Sequence, residues 1–170
     1  MIREYLVILL IWISVVLSLL SQNSPSYDEA SEVKEDIVSL IGDDEEKLSS
    51  LSLECSDMLL TVRDNSMSQA YDTWIRMMAD LEQYTELHDY DIKGIKLWMN
   101  VFWNQDGSIR HLAFYPKPTS RHTDFEKLAQ VINDFSKEYR LELTHSSCYS
   151  HYGSVSFPTF INLMIKGDNK

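Results

Sequence analysis

His145, Cys148 and His151 stand three residues apart in a chain of 170 residues. Imidazole and thiolate are the ligand types of zinc and copper sites. On an extended segment a spacing of three throws successive side chains to opposite sides, and no fourth ligand stands nearby. The residues therefore read either as a metal triad, in a small exported metal-binding protein or enzyme, or as a polar loop. Lys117, Ser120, Arg121 and His122 form a second cluster, just ahead of a predicted helix. Backbone N–H groups and the helix dipole favour anions at such a place. The third candidate is a surface. Trp98, Phe102, Leu112 and Phe114 fall on one face of a predicted β-hairpin. Leu97, Met99, Val101, Trp103, Ile109 and Ala113 fall on the other.

A hairpin apolar on both faces needs cover on both, because a sheet covered on one side alternates cleanly between apolar and polar residues. The occupant of the second face is the acidic N-terminal segment, a protein partner, a second copy of the chain in a homodimer, or a ligand. No G-x-S-x-G, H-E-x-x-H, P-loop or G-x-G-x-x-G is present. The many carboxylates offer no identifiable acid/base pair. No catalytic residue and no cofactor is assigned, and the favoured reading is a non-enzymatic interaction domain working through the aromatic face or an open strand edge.

These residues have to be positioned by recognisable elements. Ile95–Asn104 is rich in β-branched and aromatic residues. Gln105-Asp106-Gly107 is turn chemistry, and Ser108–Tyr115 is the returning strand. Pro116 and Pro118 stop it. Ser66-x-x-Gln69 and Thr123-x-x-Glu126 are capping boxes. Each opens an amphipathic helix, the first through Met67, Trp74, Met78 and Leu81, the second through Phe125, Leu128, Ile132 and Phe135. A strand is expected over about residues 58–62, and a last one over residues 152–160, ended near Pro158. The predicted fold is α+β, a β-α-β-β-α-β split sandwich of ferredoxin-like form, with helices on one face of an antiparallel sheet.

Charge divides the chain. Residues 28–91 hold eighteen acids and four bases, whereas residues 92–170 hold seven and ten, for a net charge of -11 overall. This argues against a nucleic-acid partner, whose phosphates require Lys and Arg. Tyr5–Leu20 is uncharged and apolar, with Arg3 before it and a polar run after it, the pattern of a signal peptide. The expected organisation is a signal peptide over residues 1–21, an acidic linker or peripheral helix over 22–50, an α+β domain over 51–165 and a polar tail over 166–170. The protein is expected to be exported, to the periplasm, the envelope or the exterior. If residues 5–20 are retained, it is instead a membrane-anchored envelope protein.

Cys55 and Cys148 are the only cysteines. If Cys55 begins a strand antiparallel to the last one, it faces that strand's far end, whereas Cys148 precedes its start. This placement argues against a bridge, since the Cα atoms must approach within about 7 Å, whereas export would allow the pair to be oxidised.

From residue 92 onward the pattern resembles the TonB C-terminal domain. The residues that carry it are Lys93-Gly94-Ile95-Lys96-Leu97, Phe102, Asp106-Gly107-Ser108-Ile109, Pro118, Phe125 and Val155-Ser156-Phe157. The resemblance implies a hairpin-helix-strand fold and binding by strand addition. The long proline-rich spacer of that family is absent, so the resemblance speaks for the fold more than for a role in transport.

Overall fold

The computed structural model describes residues 36–161. The expectations for residues 1–35 and for the polar tail, including the signal peptide or anchor, lie outside the described residues. Among the described residues, no helix is long and apolar enough to cross a membrane.

The class is α+β, as expected. The elements are β1 (Val38–Leu40), α1 (Glu45–Glu54), β2 (Asp57–Met58), α2 (Leu59–Val62), α3 (Met67–Leu87), β3 (Lys96–Trp103), β4 (Ile109–Pro116), α4 (Phe125–Glu138) and β5 (Tyr149–Ser156). The strands form one sheet in the order β1-β4-β3-β5-β2. Its centre is antiparallel, with β3 between β4 and β5. Both outer strands are short and pair in parallel, β1 with β4 and β2 with β5.

The helices form where their caps dictate. Ser66 accepts the Gln69 N–H at the start of α3. At α4 the cap is Asp124 rather than Thr123, accepting the Lys127 N–H at 3.1 Å. Both helices bury their apolar stripes in the main core, where Trp74, Met77, Met78 and Leu81 of α3 and Leu128, Ile132 and Phe135 of α4 join Leu97, Met99, Val101 and Trp103 of β3. Glu82 is a buried polar residue beside this core. Its carboxylate accepts both the backbone N–H and the hydroxyl of Thr159, at 2.7 and 2.8 Å, and so ties α3 to the chain beyond β5.

The sheet begins earlier than residue 51, since β1 adds an edge strand and the acidic run after it becomes a helix. Asp44 caps α1 by accepting the Lys47 N–H, and Glu45 and Glu46 occupy the first turn, where negative charge suits the helix dipole. The strand expected over residues 58–62 is only β2. Leu59 turns inward and is fully buried, and the residues after it coil into the single turn of α2. The last strand starts three residues earlier than expected and stops before Pro158.

Candidate functional site: the outer face of the sheet

Alternation along β3 sends Lys96, Trp98, Asn100 and Phe102 away from α3 and α4. Cross-strand pairing fixes their neighbours: Trp98 lies between Tyr115 and Ser154, Asn100 between Ala113 and Tyr152, and Phe102 between His111 and Ser150. This is the outer face.

Its composition differs from the one read in the sequence. The pairing of β3 with β4 shifts between Phe102 and Trp103, so that Phe102 faces His111 while Trp103 faces Ile109. Arg110 is the extra residue of this β-bulge. A bulge reverses the in/out sense of everything beyond it. Leu112 and Phe114 therefore pair with Val101 and Met99 and lie in the main core, not beside Trp98. Ala113 and Tyr115 take the outer face instead.

The outer face has a closed half and an open half. In the closed half, Leu51 and Cys55 pack with Phe102 in a small second core, with Leu48 and Cys148 at its margin, and Phe102 has no exposed surface. So α1 covers this end of the sheet. In the open half Trp98 is partly exposed, Tyr115 is 49% exposed and Tyr152 is 60% exposed. Trp98 and Tyr115 stack with their centroids 6.5 Å apart, and the Lys117 ammonium sits 5.8 Å from the Trp98 ring centre.

The open half runs into an open strand edge. Phe157 donates its N–H to Ile95 and accepts from Gly94, so both of its polar backbone groups point toward the β3 side. Successive residues of a strand alternate in this respect. Tyr152, Ser154 and Ser156 therefore aim their N–H and C=O groups away from β3. Among the described residues β2 reaches only Tyr149 and Ser150, and no strand pairs with the rest of this edge.

The predicted metal triad is dispersed. Cys148 is bonded to Cys55, with the Cα atoms 4.8 Å apart, so its sulfur is no thiolate ligand. His145 lies 3.2 Å from Asp57, and His151 packs against the Trp74 ring at 4.8 Å. Among the described residues no group of three or more His, Cys, Asp or Glu side chains is placed to hold a metal. The disulfide corrects the expectation against a bridge. Because β2 is parallel to β5, with Asp57 opposite Tyr149, the residues that precede the two strands come together.

Nor do the anion candidates converge. Asp124 and Glu126 already supply negative charge to the first turn of α4. The Ser120 hydroxyl accepts the Lys96 N–H and donates to the Arg121 carbonyl. Arg121 is drawn to Asp91, His122 is exposed beside Phe125, and Lys117 lies over Trp98.

Asp57, His145 and Ser147 come together without forming a relay, because the histidine and the hydroxyl meet the same carboxylate oxygen. Sequence reasoning expected an open strand edge but missed this group, Tyr152, and Arg110, whose guanidinium forms a two-pronged pair with Glu54 at 2.7 Å on each prong. Tyr152 was legible in principle, since it lies two residues from Ser154 in an alternating stretch.

These contacts set a pH dependence. The Ser147 hydroxyl, with His145 behind it, holds the Asp57 carboxyl below its usual 3.8. The Ser108 hydroxyl and N–H, with Arg140, hold Asp106 down to about 2. Arg110 lowers Glu54 from 4.5. Burial pushes His151 below 6.5. Below pH 6.5 the unfolded chain takes up a proton that folded His151 refuses, so stability begins to fall. From about pH 4.5 the unfolded carboxylates protonate while the folded ones stay ionised, and the loss continues toward pH 2, where folded Asp106 itself protonates. Denaturation midpoints measured from pH 7 to pH 2 are expected to fall in these two stages. His151→Gln should remove the first, and Asp106→Asn should flatten the second. A midpoint constant down to pH 3 would contradict the assignment.

No family model, curated protein or solved structure matches the chain.

Proposed function

We propose that this domain is a non-enzymatic interaction module that takes an extended segment of a protein partner as an added strand on β5. One observation carries the reading. Among the described residues the edge at Tyr152, Ser154 and Ser156 has no strand partner, and it adjoins a half-exposed aromatic surface made of Trp98, Tyr115 and Tyr152. Main-chain hydrogen bonds along such an edge give affinity, and alternate side chains of the guest give specificity. Guest side chains on the outer face would meet Tyr152 first, with Trp98 and Tyr115 beyond it. Lys96 and Lys117 flank that surface, so acidic or aromatic guest residues fit it better than basic ones. The resemblance to the TonB C-terminal domain points to the same mode of binding.

Export belongs to this proposal. The apolar segment Tyr5–Leu20 motivates it. The Cys55–Cys148 bridge supports it, since such bonds persist in oxidising compartments.

The test is selection of a displayed random peptide library on the folded protein. Selected peptides should alternate in side-chain character and carry acids or aromatics at every second position. Their binding should fall at least about tenfold in Ser154→Pro, which deletes an outward N–H without touching the β3 ladder, and in Tyr152→Ala. Selected peptides indifferent to both changes would defeat the proposal. Concentration-dependent dimerisation lost in Ser154→Pro would instead show that a second copy takes the edge.

A further inference from the structure

The bridge between Cys55 and Cys148 is more than a staple. We infer that it is a thiol-exchange site, opened by a dithiol reductant attacking Cys148, and that its cleavage releases α1 from the outer face.

The two sulfurs are not equivalent. Cys55 has no exposed surface, whereas Cys148 is partly exposed and lines a cleft of about 440 Å³ together with Glu54, Asp106 and Arg110. An incoming thiolate therefore reaches the Cys148 sulfur. A guanidinium nitrogen of Arg110 lies 3.7 Å from that sulfur and 3.9 Å from the Cys55 sulfur. Positive charge at this range favours thiolate, and a better thiolate is a better leaving group.

The exchange balances in two steps. The reductant's first thiolate bonds to Cys148 Sγ and the S–S bond breaks. Cys55 Sγ leaves as a thiolate beside Arg110 and takes a proton. The reductant's second thiolate then attacks its own sulfur in the mixed disulfide and expels Cys148, which is protonated in turn. Two electrons and two protons pass to the protein, and the reductant closes its own disulfide.

Besides the bridge, α1 meets the outer face of the sheet through apolar contacts and one ion pair among the described residues. Leu51 and Leu48 touch the Phe102 cluster, and the Glu54–Arg110 pair joins side chains that are 55% and 34% exposed, a setting in which ion pairs contribute little. The helix is tethered at both ends, by β1 before it and β2 after it, so it swings without leaving the domain. Its departure uncovers Phe102 and lengthens the aromatic surface. That last consequence rests on the interaction reading above, whereas the exchange and the release do not.

The experiment uses the intact oxidised protein. It is treated with a small monothiol, quenched with an alkylating agent and mapped by mass spectrometry. The mixed disulfide is expected on Cys148 with little on Cys55, forming at least about tenfold more slowly in Arg110→Gln and near the wild-type rate in Arg110→Lys. Full reduction with a small dithiol should raise amide hydrogen exchange across residues 45–54 by at least about tenfold, while β3 and the middle of α3 stay protected. Equal labelling of both cysteines, or a rate unmoved by Arg110→Gln, would overturn the exchange site. Uniform loss of protection, or none over α1, would overturn the release. Neither readout uses a peptide, so failure here is separate from failure of the binding proposal.

Discussion

Phe102→Ala is expected to cost about 3–5 kcal/mol of folding stability, whereas Trp98→Ala, four residues away on the same strand face, costs about 1 kcal/mol. Sequence reasoning grouped the two as one contact surface, and the structure separates them. Phe102 is sealed between Leu51, Cys55 and the sheet. Removing its ring leaves a cavity that α1 cannot settle into freely, because the disulfide pins the helix's C-terminal end. A site unable to collapse stands at the high end of the truncation range. Trp98 loses a stack on Tyr115 and a cation contact with Lys117, both at partly exposed positions. Urea denaturation at neutral pH reads both variants. A cost under about 1 kcal/mol for Phe102→Ala would show that α1 is not held against the sheet.

Gly107→Ala is the second large effect. Gly107 sits in the β3–β4 turn with φ at +81°, a region that an L side chain rarely adopts. An added Cβ would stand 2.0 Å from the Leu141 carbonyl oxygen and 3.0 Å from that of Leu143. Both are backbone atoms, so no side chain can rotate aside. The Leu141 N–H also donates to the Gly107 carbonyl at 2.9 Å, and the clash would part that contact as well. The expected loss is about 3 kcal/mol or more, the sum of a strained backbone and a displaced segment. Gly42→Ala is the control. It has φ at +107° but nothing within 4 Å of the added carbon, so it reports the backbone term alone, about 1 kcal/mol. Equal costs for the two variants would refute the clash.

The parts legible in the sequence are those fixed by local chemistry. The Asp106-Gly107 turn, the cap at Ser66 and the stops at Pro116 and Pro158 each act within a few residues, and the elements they bound were placed correctly or nearly so. What escaped was set across the sheet. The extra residue at Arg110 has no local signature, yet it moved Leu112 and Phe114 into the core and Tyr115 out of it. The strand β2 is too short to show alternation. Its parallel pairing with β5 depends on α3 and the hairpin lying between them in sequence, and that pairing brought the cysteines together. The acidic run read as a solvated linker because α1 contributes little apolar surface of its own, Leu51 being its one buried residue.

The pairing order also has a kinetic consequence. Only β3 and β4 are joined by a short turn. Val38 meets Leu112 and Asp57 meets Tyr149, contacts that span more than half of the described chain. Chain closure over such distances is slow compared with closing a hairpin. On that ground the β3–β4 hairpin is expected to pair first and the two parallel edge strands last. A chain in which β2 has not yet paired would leave Tyr149 and Ser150 without that neighbour as well. Among the described residues, pairing of β2 closes only the start of the outer edge of β5 and leaves Tyr152, Ser154 and Ser156 without a strand neighbour.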